Sequence, residues 1–229
     1  TIGQGDLIYI YDGLFRDANE LLNSPIQSAG TSMMAGDARY VDVNGDGAIT
    51  DEDMIYDNKP RSAIMQWGIP FSLQWKAWSL EGLLQGSGRQ YGILHNNIKG
   101  TGWNKIYYKD QLDIYYPGNE NARYPRADND YGVWNGEYNR AASALWRVNK
   151  TYARLKNLSI TYNFKYKLLK HVNWLSAASV SLTGTNLFTI CPSLKYGDPE
   201  TGPINDTATV QTAAYPTTRT FSVMVNLGF

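Results

Sequence analysis

Residues 63–75 read "AIMQWGIPFSLQW". Trp67, Ile69, Phe71, Leu73 and Trp75 fall on one side of an extended chain, and Gln66, Gly68, Pro70, Ser72 and Gln74 fall on the other. A period of two marks a β-strand with one face in an apolar medium and one in a polar medium. Trp closes both ends of the apolar side with hydrophobic residues between, the order of an aromatic girdle around a lipid band. Pro70 argues against a central position, since proline removes a ladder hydrogen bond.

The pattern repeats outward. A tight turn at Lys76-Ala77 leads into "WSLEGLLQGS", where Trp78, Leu80, Gly82 and Leu84 oppose Ser79, Glu81 and Gln85, with Leu83 as the exception. Glu81 on that side is costly in a dry core and ordinary in a wet lumen. In "LKNLSITYNF", Leu158, Ile160, Tyr162 and Phe164 oppose Asn157, Ser159, Thr161 and Asn163; in "ASVSLTGTNLF", Val180 and Leu182 oppose Ser179, Ser181, Thr183 and Thr185. The ending "RTFSVMVNLGF" sets Phe221, Val223, Val225, Leu227 and Phe229 against Ser222, Met224, Asn226 and Gly228. Three of these polar faces carry almost no charge, whereas a soluble sandwich puts Lys and Glu on its wet face. The expected fold is all-β: an antiparallel transmembrane β-barrel segment, apolar outside and polar inside, with long extracellular loops and short helices. An ordinary soluble antiparallel β-domain is the alternative.

Composition narrows the function. The 229 residues balance 21 basic against 21 acidic groups, which gives no electrostatic case for nucleic acid or an anionic membrane surface. The 17 Tyr and 7 Trp against 6 Phe suit a surface that is half apolar and half wet, such as a glycan-binding face or a membrane interface. No run approaches the roughly eighteen apolar residues of a membrane-spanning helix. Cys191 is the only cysteine, so no intramolecular disulfide and no cysteine zinc site can form. Thr1 is not a natural start, so the chain reads as a piece of a longer one, with any export signal upstream.

Other segments are less regular. "DLIYIYDGL" (6–14) reads as a strand, and Asp17 with Glu20 reads as a capping box for a short helix ended by Pro25. Residues 88–145 form a long polar, aromatic loop with a short helix expected around Asn104–Tyr115; a second polar loop spans about 191–218.

The most specific local motif is "VDVNGDGAITDED" (41–53). Asp42, Asn44 and Asp46 fall at positions 1, 3 and 5 of an EF-hand-type loop, Gly47 at the sharp turn, Ala48 where a carbonyl ligates, Ile49 where the loop packs inward, and Asp53 at position 12. This spacing wraps hard oxygens around one Ca2+. Asp in place of Glu at position 12 reaches less far and favours weaker or monodentate ligation. The flanks read as extended, so a structural ion is expected rather than a sensor. An Asx-turn with no ion is the alternative.

Nothing indicates an enzyme. His95 and His171 stand in polar or mixed contexts without a nucleophile. Glu120, Asp128 and Asp130 could form a glycosidase pair, but they lie in an ordinary polar loop. "GSG" (86–88) lacks the Lys-Ser/Thr of a phosphate loop. The Tyr and Trp of 103–138 could stack on sugar rings or pack their own loop.

Taken together, "YIYDGLF" (9–15), "GDARYVDVNGDGAITDEDM", "NARYPR" with "LWRVNKTYARLKNLSITYNF", and the ending "YPTTRTFSVMVNLGF" resemble the C-terminal part of a SusC/RagA-type TonB-dependent outer-membrane transporter of Bacteroidota. The stretches span nearly the whole chain in the family's order; Ala153 before Arg154 is a minor departure. The resemblance implies that residues 1–229 are the C-terminal portion of a barrel of about twenty-two strands, supplying about seven or eight of them. It implies that 36–60 is an extramembrane loop bearing the calcium motif, and that Phe229 is the terminal aromatic such barrels end on. It further implies outer-membrane localisation, nutrient uptake with oligosaccharide (glycan) or peptide cargo, a SusD-like surface lipoprotein as partner, and TonB engaged through an absent N-terminal part. Two rivals remain: a soluble calcium-stabilised β-domain that binds carbohydrate through its aromatics, and a glycoside hydrolase piece.

Overall fold

The computed structural model describes residues 5–27, 33–93, 112–126, 139, 141–167, 169–194, 198–200 and 217–229. In chain order the strands are β1 (Asp6–Ile8), β2 (Tyr11–Leu14), β3 (Ile26–Gln27), β4 (Ala38–Tyr40), β5 (Ala48–Ile49), β6 (Ile55–Asp57), β7 (Met65–Trp75), β8 (Trp78–Gly88), β9 (Tyr91–Ile93), β10 (Arg147–Asn149), β11 (Tyr152–Asn163), β12 (Ala177–Ile190) and β13 (Thr220–Gly228). The helix α1 (Ala18–Leu22) lies among them, with 3-10 turns at Asp51–Asp53, Ala144–Trp146 and Phe164–Tyr166. The fold is all-β. The chain divides into one unit of residues 1–62, 91–148 and 203–209, and a second of residues 63–90, 149–202 and 210–229.

The second unit is a five-stranded sheet in the order β13-β12-β11-β8-β7, each neighbour antiparallel. Its register carries the sequence alternation across every strand. Leu73, Leu80, Ile160, Leu182 and Val223 form one continuous row, and Trp75, Trp78, Tyr162, Val180 and Val225 the next apolar one. Between them run Gln74, Ser79, Thr161, Ser181 and Met224, and beyond the first of them Ser72, Glu81, Ser159, Thr183 and Ser222. A one-residue slip anywhere would mix the two faces. Cross-strand hydroxyls tie the polar rows: Ser159 Oγ lies 3.1 Å from Thr183 Oγ1, and Thr161 Oγ1 2.7 Å from Ser181 Oγ. On the other face the Phe71 ring fills the space that a Cβ on Gly82 would need.

No described element covers the apolar face. Leu73 is 63 % exposed, Leu182 51 %, Val223 70 % and Val225 62 %. Pro70 lies on β7, at one edge of the sheet, where a missing N–H is tolerated. Leu83 stays among polar neighbours, paired with Pro70 and Asn157. The described sheet has five strands rather than the seven or eight expected. Among the described residues no closed barrel forms, and β7 and β13 have no further strand beside them.

The two ends of the sheet differ. One holds short connections, the two-residue turn at Lys76-Ala77 with Lys76 at φ 54° and the segment 164–176. Aromatics gather there. Lys76 Nζ sits 4.7 Å over the Trp75 ring, Trp78 meets Tyr162 edge-on at 4.7 Å, Tyr162 meets Phe164 at 4.9 Å, and Trp174 stacks on Phe229 at 5.8 Å. At the other end β8 stops at Gly88, β11 starts at Tyr152, β12 stops at Ile190 and β13 starts at Thr220.

The first unit is built from short strand pairs: β1 with β6 and β2 with β4, both antiparallel, and β3 with β5 in parallel. The segment expected as one strand, 6–14, is two, because β1 and β2 pair with different partners and the chain breaks at Tyr9-Ile10. The cap on α1 forms: Asp17 accepts from the Glu20 N–H at 2.9 Å, while Glu20 reaches back to the Arg16 N–H at 2.9 Å. Unlike the sheet, this unit closes its own cores. Ala38, Tyr40 and Ile49 form one; Ile8, Ile93 and Trp146 form another. Asp37, fully buried, joins Arg126 at 2.7 Å and Asn139 Nδ2 at 2.8 Å, and Asn139 Oδ1 accepts the Ala38 N–H at 2.7 Å. Most of the helix expected at 104–115 lies outside the described residues. Its end is extended: Ile114 bridges Tyr124, and the Tyr115 N–H donates to the Tyr124 carbonyl at 3.0 Å.

Candidate functional site

The acidic loop lies between β4 and β6, both extended. Asp42 accepts the N–H groups of Gly45 (2.6 Å) and Gly47 (2.8 Å), one on each carboxylate oxygen. Asn44 Oδ1 accepts from Asp46 N–H at 2.9 Å, and Asp46 Oδ1 from Ala48 N–H at 2.8 Å. These successive Asx-type turns require left-handed backbone at Gly45 (φ 76°) and Gly47 (φ 86°), which glycine supplies without strain. Ile49 is buried beneath the loop.

Asp53 closes the loop. Its Oδ1 accepts the N–H of Val43 (2.8 Å) and Asn44 (3.3 Å), and its Oδ2 accepts that of Thr50 (2.7 Å). These bonds, the one from Thr50 first, hold its carboxyl below the usual carboxylate range. Asp42 lies within hydrogen-bonding reach of it. With both lone pairs of Oδ1 committed, Oδ2 alone stays open to a cation, which suits monodentate ligation. Asp51 accepts the Tyr9 hydroxyl at 2.9 Å; burial and then this bond push the Tyr9 phenol up to about 12.

The donor chemistry of Asp42, Asn44, Asp46, the Ala48 carbonyl and Asp53 suits a hard cation, each carboxylate keeping at least one free lone pair. No described Lys or Arg pairs with Asp42, Asp46, Asp51, Glu52 or Asp53, so the loop carries uncompensated negative charge. Among the described residues, no three His, Cys, Asp or Glu side chains converge as a metal cage would need, so Asp42, Asp46 and Asp53 are not gathered on one point here and amide and carbonyl oxygens would have to complete any cage.

The polar face of the sheet is the second candidate, and it holds a cluster that the sequence reading missed. Arg154 shares a row with Gln85 and Thr189. It donates to Thr189 Oγ1 (2.7 Å), Asp198 Oδ1 (2.7 Å) and Thr217 Oγ1 (3.2 Å), and its Nη1 lies 2.7 Å from Glu200 Oε2. Lys156 Nζ (2.9 Å), Tyr152 OH (3.2 Å) and Gln85 Nε2 also reach Glu200. Asp198 accepts the N–H of Glu200 (2.9 Å) and both the N–H and hydroxyl of Thr217. Burial by itself would raise the Asp198 carboxyl, but the bonds from Thr217, Glu200 and Arg154 outweigh it and bring it below the usual range. The available signal was an arginine on a face otherwise nearly free of charge.

Other candidates do not assemble. His171 is exposed, and His95, Asp128 and Asp130 lie outside the described residues, as do most of the Tyr and Trp of 103–138. Glu120 accepts the Gly118 N–H at 2.8 Å, which lowers its carboxyl pKa, the wrong direction for a general acid.

No family model matches this chain, and no curated protein does. Solved structures do. A chain of the RagAB peptide importer in its open-open state superposes with a TM-score of 0.69 at 18% identity, covering 98% of this chain and 22% of that one. A structure of the RagAB peptide transporter gives the same values. The closed-closed state of the importer gives 0.67 at 19% identity, over 98% of this chain and 23% of that one. This chain therefore spans less than a quarter of the length of the chains it matches. Likeness at this identity establishes a shared fold.

Proposed function

We propose that this chain is part of the barrel wall of a SusC/RagA-type TonB-dependent importer of the outer membrane. The observation that carries the reading is the five-stranded sheet, with one continuous apolar face left uncovered and a nearly neutral Ser/Thr/Asn/Gln face behind it. Soluble proteins rarely expose so large an apolar patch; a barrel wall needs one, facing lipid, with a wet lumen behind. The aromatic ring at the short-turn end fits the headgroup boundary, and the long connections at the other end fit extracellular loops. Open edges at β7 and β13 then pair with further strands of the same barrel.

In this reading the cargo is a polar oligomer. The importer likeness favours peptide over oligosaccharide. A SusD-like surface lipoprotein caps the barrel, TonB engages a segment outside this chain, and the chain performs no catalysis. The loop at 41–53 binds one structural Ca2+ through Asp42, Asn44, Asp46, the Ala48 carbonyl and Asp53. The test is expression of the full-length protein with its export signal. Recovery in outer-membrane fractions, detergent dependence and heat-modifiable electrophoretic migration are expected. A monodisperse protein free of detergent would sink the barrel reading and leave the soluble calcium-stabilised, carbohydrate-binding β-domain in its place.

A further inference from the structure

The balance of 21 basic against 21 acidic residues holds for the whole chain and for neither unit. The second unit carries ten Lys and Arg against three Asp and Glu; the first carries eleven against eighteen. Such asymmetry between parts of one chain is a mark of contact with a charged surface. The excess in the second unit is not spread evenly. On the polar face Arg154 and Lys156 meet Asp198 and Glu200 at 2.7–2.9 Å, and the charges there cancel.

The short-turn end of the sheet is different. Two connections form it, Lys76-Ala77 and 164–176, and they touch: the Asn163 N–H donates to the Ala77 carbonyl at 2.8 Å. Together they contain Lys76, Lys165, Lys167, Lys170 and His171 and no Asp or Glu. Lys76, Lys167 and Lys170 are exposed, and among the described residues no carboxylate pairs with any of them. Lys76 is placed against backbone preference. It takes left-handed backbone, φ 54°, in a two-residue hairpin turn where Gly, Asn or Asp is the usual occupant. Its ammonium lies 4.7 Å over the Trp75 ring, which holds the charge beside an exposed indole. Trp78 and Trp174 are exposed at the same end.

Indoles and unpaired lysines along one border of an apolar face fit a single environment. The rings sit where hydrocarbon gives way to headgroups, and lysine stems run along the apolar border while the ammonium reaches the phosphate level. Resting on the barrel reading above, we propose that this rim, Lys76, Lys167 and Lys170 with Trp75, Trp78 and Trp174, binds the phosphate of anionic phospholipid on the periplasmic side, where short barrel turns lie. The lipid is a monoanionic phosphodiester of the phosphatidylglycerol kind rather than a zwitterion, because the two turns offer no acidic side chain to match a choline or ethanolamine head. Each lysine at such a surface favours the anion about fivefold.

The experiment uses the full-length protein in vesicles of equal phosphatidylglycerol and phosphatidylcholine, with a photo-crosslinking benzophenone amino acid at the exposed Tyr166 of the rim as a local probe. Mass spectrometry counts the two lipid adducts. Phosphatidylglycerol adducts should outnumber phosphatidylcholine adducts by about fivefold or more at low salt. Lys76→Gln, Lys167→Gln and Lys170→Gln together should bring the ratio close to one, and Lys→Arg at the same three positions should keep it. A ratio near one in the parent, or a preference that survives the three Gln substitutions in heat-modifiable and so folded protein, overturns the proposal. A probe that in intact cells joins a protein and no lipid also overturns it, in favour of an acidic protein partner. Premise and inference fail separately. Adducts of both lipids in equal number leave the barrel reading standing without the headgroup preference; a protein that stays out of the vesicles and forms neither adduct removes the barrel reading and the lipid site with it.

Discussion

The two units of this chain use the same residues in opposite ways. In the first, apolar side chains meet one another: Tyr40 and Ile49 are each 2 % exposed, and Asp37 is neutralised inside by Arg126. In the second, an equally apolar row, Leu73 to Val223, is covered by no described element, and the hydrogen bonds among side chains lie on the opposite face. One unit satisfies its hydrophobic groups internally. The other leaves them to an external medium, which in the barrel reading proposed above is lipid. Exposure alone would read as poor packing; exposure kept in register across five strands reads as a boundary.

That contrast can be broken at specific places. The largest effect is expected in the first unit: Asp37→Ala removes the fully buried carboxylate that Arg126, Asn139 Nδ2 and the Met34 N–H donate to and should cost about 3–5 kcal/mol, measured as a fall in the denaturant midpoint of this unit. Next is the uncovered apolar row. Leu182→Lys should cost about 2–4 kcal/mol if the row crosses the bilayer centre, seen as loss of the heat-modifiable form, while Thr183→Lys on the polar face should leave folding intact. Equal tolerance of the two would remove the distinction between the faces.

The acidic loop comes third. Calcium at about a hundred times its dissociation constant should slow proteolysis within 36–60 by nearly a hundredfold, and Asp42→Ala with Asp46→Ala should abolish the effect. Equal cleavage of the parent with and without chelator would reject the ion. Without calcium, the same loop should respond to acid in one direction. The Asp53 carboxyl is lowered by its backbone bonds, so its contribution is complete above the ordinary carboxylate value of about 4 and is lost as pH falls through the lower folded value. Hydrogen exchange at Val43, Asn44 and Thr50 should therefore stay slow from neutral pH down to that value and rise below it; an onset near pH 6 would contradict the assignment. The smallest effect is Thr161→Val, which removes one half of the 2.7 Å hydroxyl pair with Ser181 and should cost about 1 kcal/mol.

Legibility in the sequence followed the range of the interactions. The period-two alternation of 63–75, 158–164 and 221–229 assigned each residue to a face, and the pairing kept the assignments of the residues it joins, including the outlier Leu83, while Phe164 and Phe229 lie beyond the strands. The α1 cap was readable because Asp17 and Glu20 are neighbours in sequence. The run 6–14 misled, because aromatic and β-branched content signals strand but not where a strand changes partner. The Arg154 cluster was illegible for a related reason: its carboxylates lie 44 and 46 residues further along the chain, in a loop that looked merely polar.

The stretch 63–75 by itself determined that one face belongs to an apolar medium and one to a polar medium, because alternation is a property of the extended backbone alone. The motif at 41–53 likewise fixed its own turns, since its side chains bond to N–H groups two to five residues away. Only the tertiary structure decided that the apolar faces of five strands join into one uncovered surface, that the sheet keeps two open edges, and that Asp198 and Glu200 fold back onto Arg154. Those outcomes depend on contacts between residues up to 115 positions apart, as in Gln85 with Glu200, and the cost of closing such loops grows too slowly with length for sequence distance to forbid or to favour any of them.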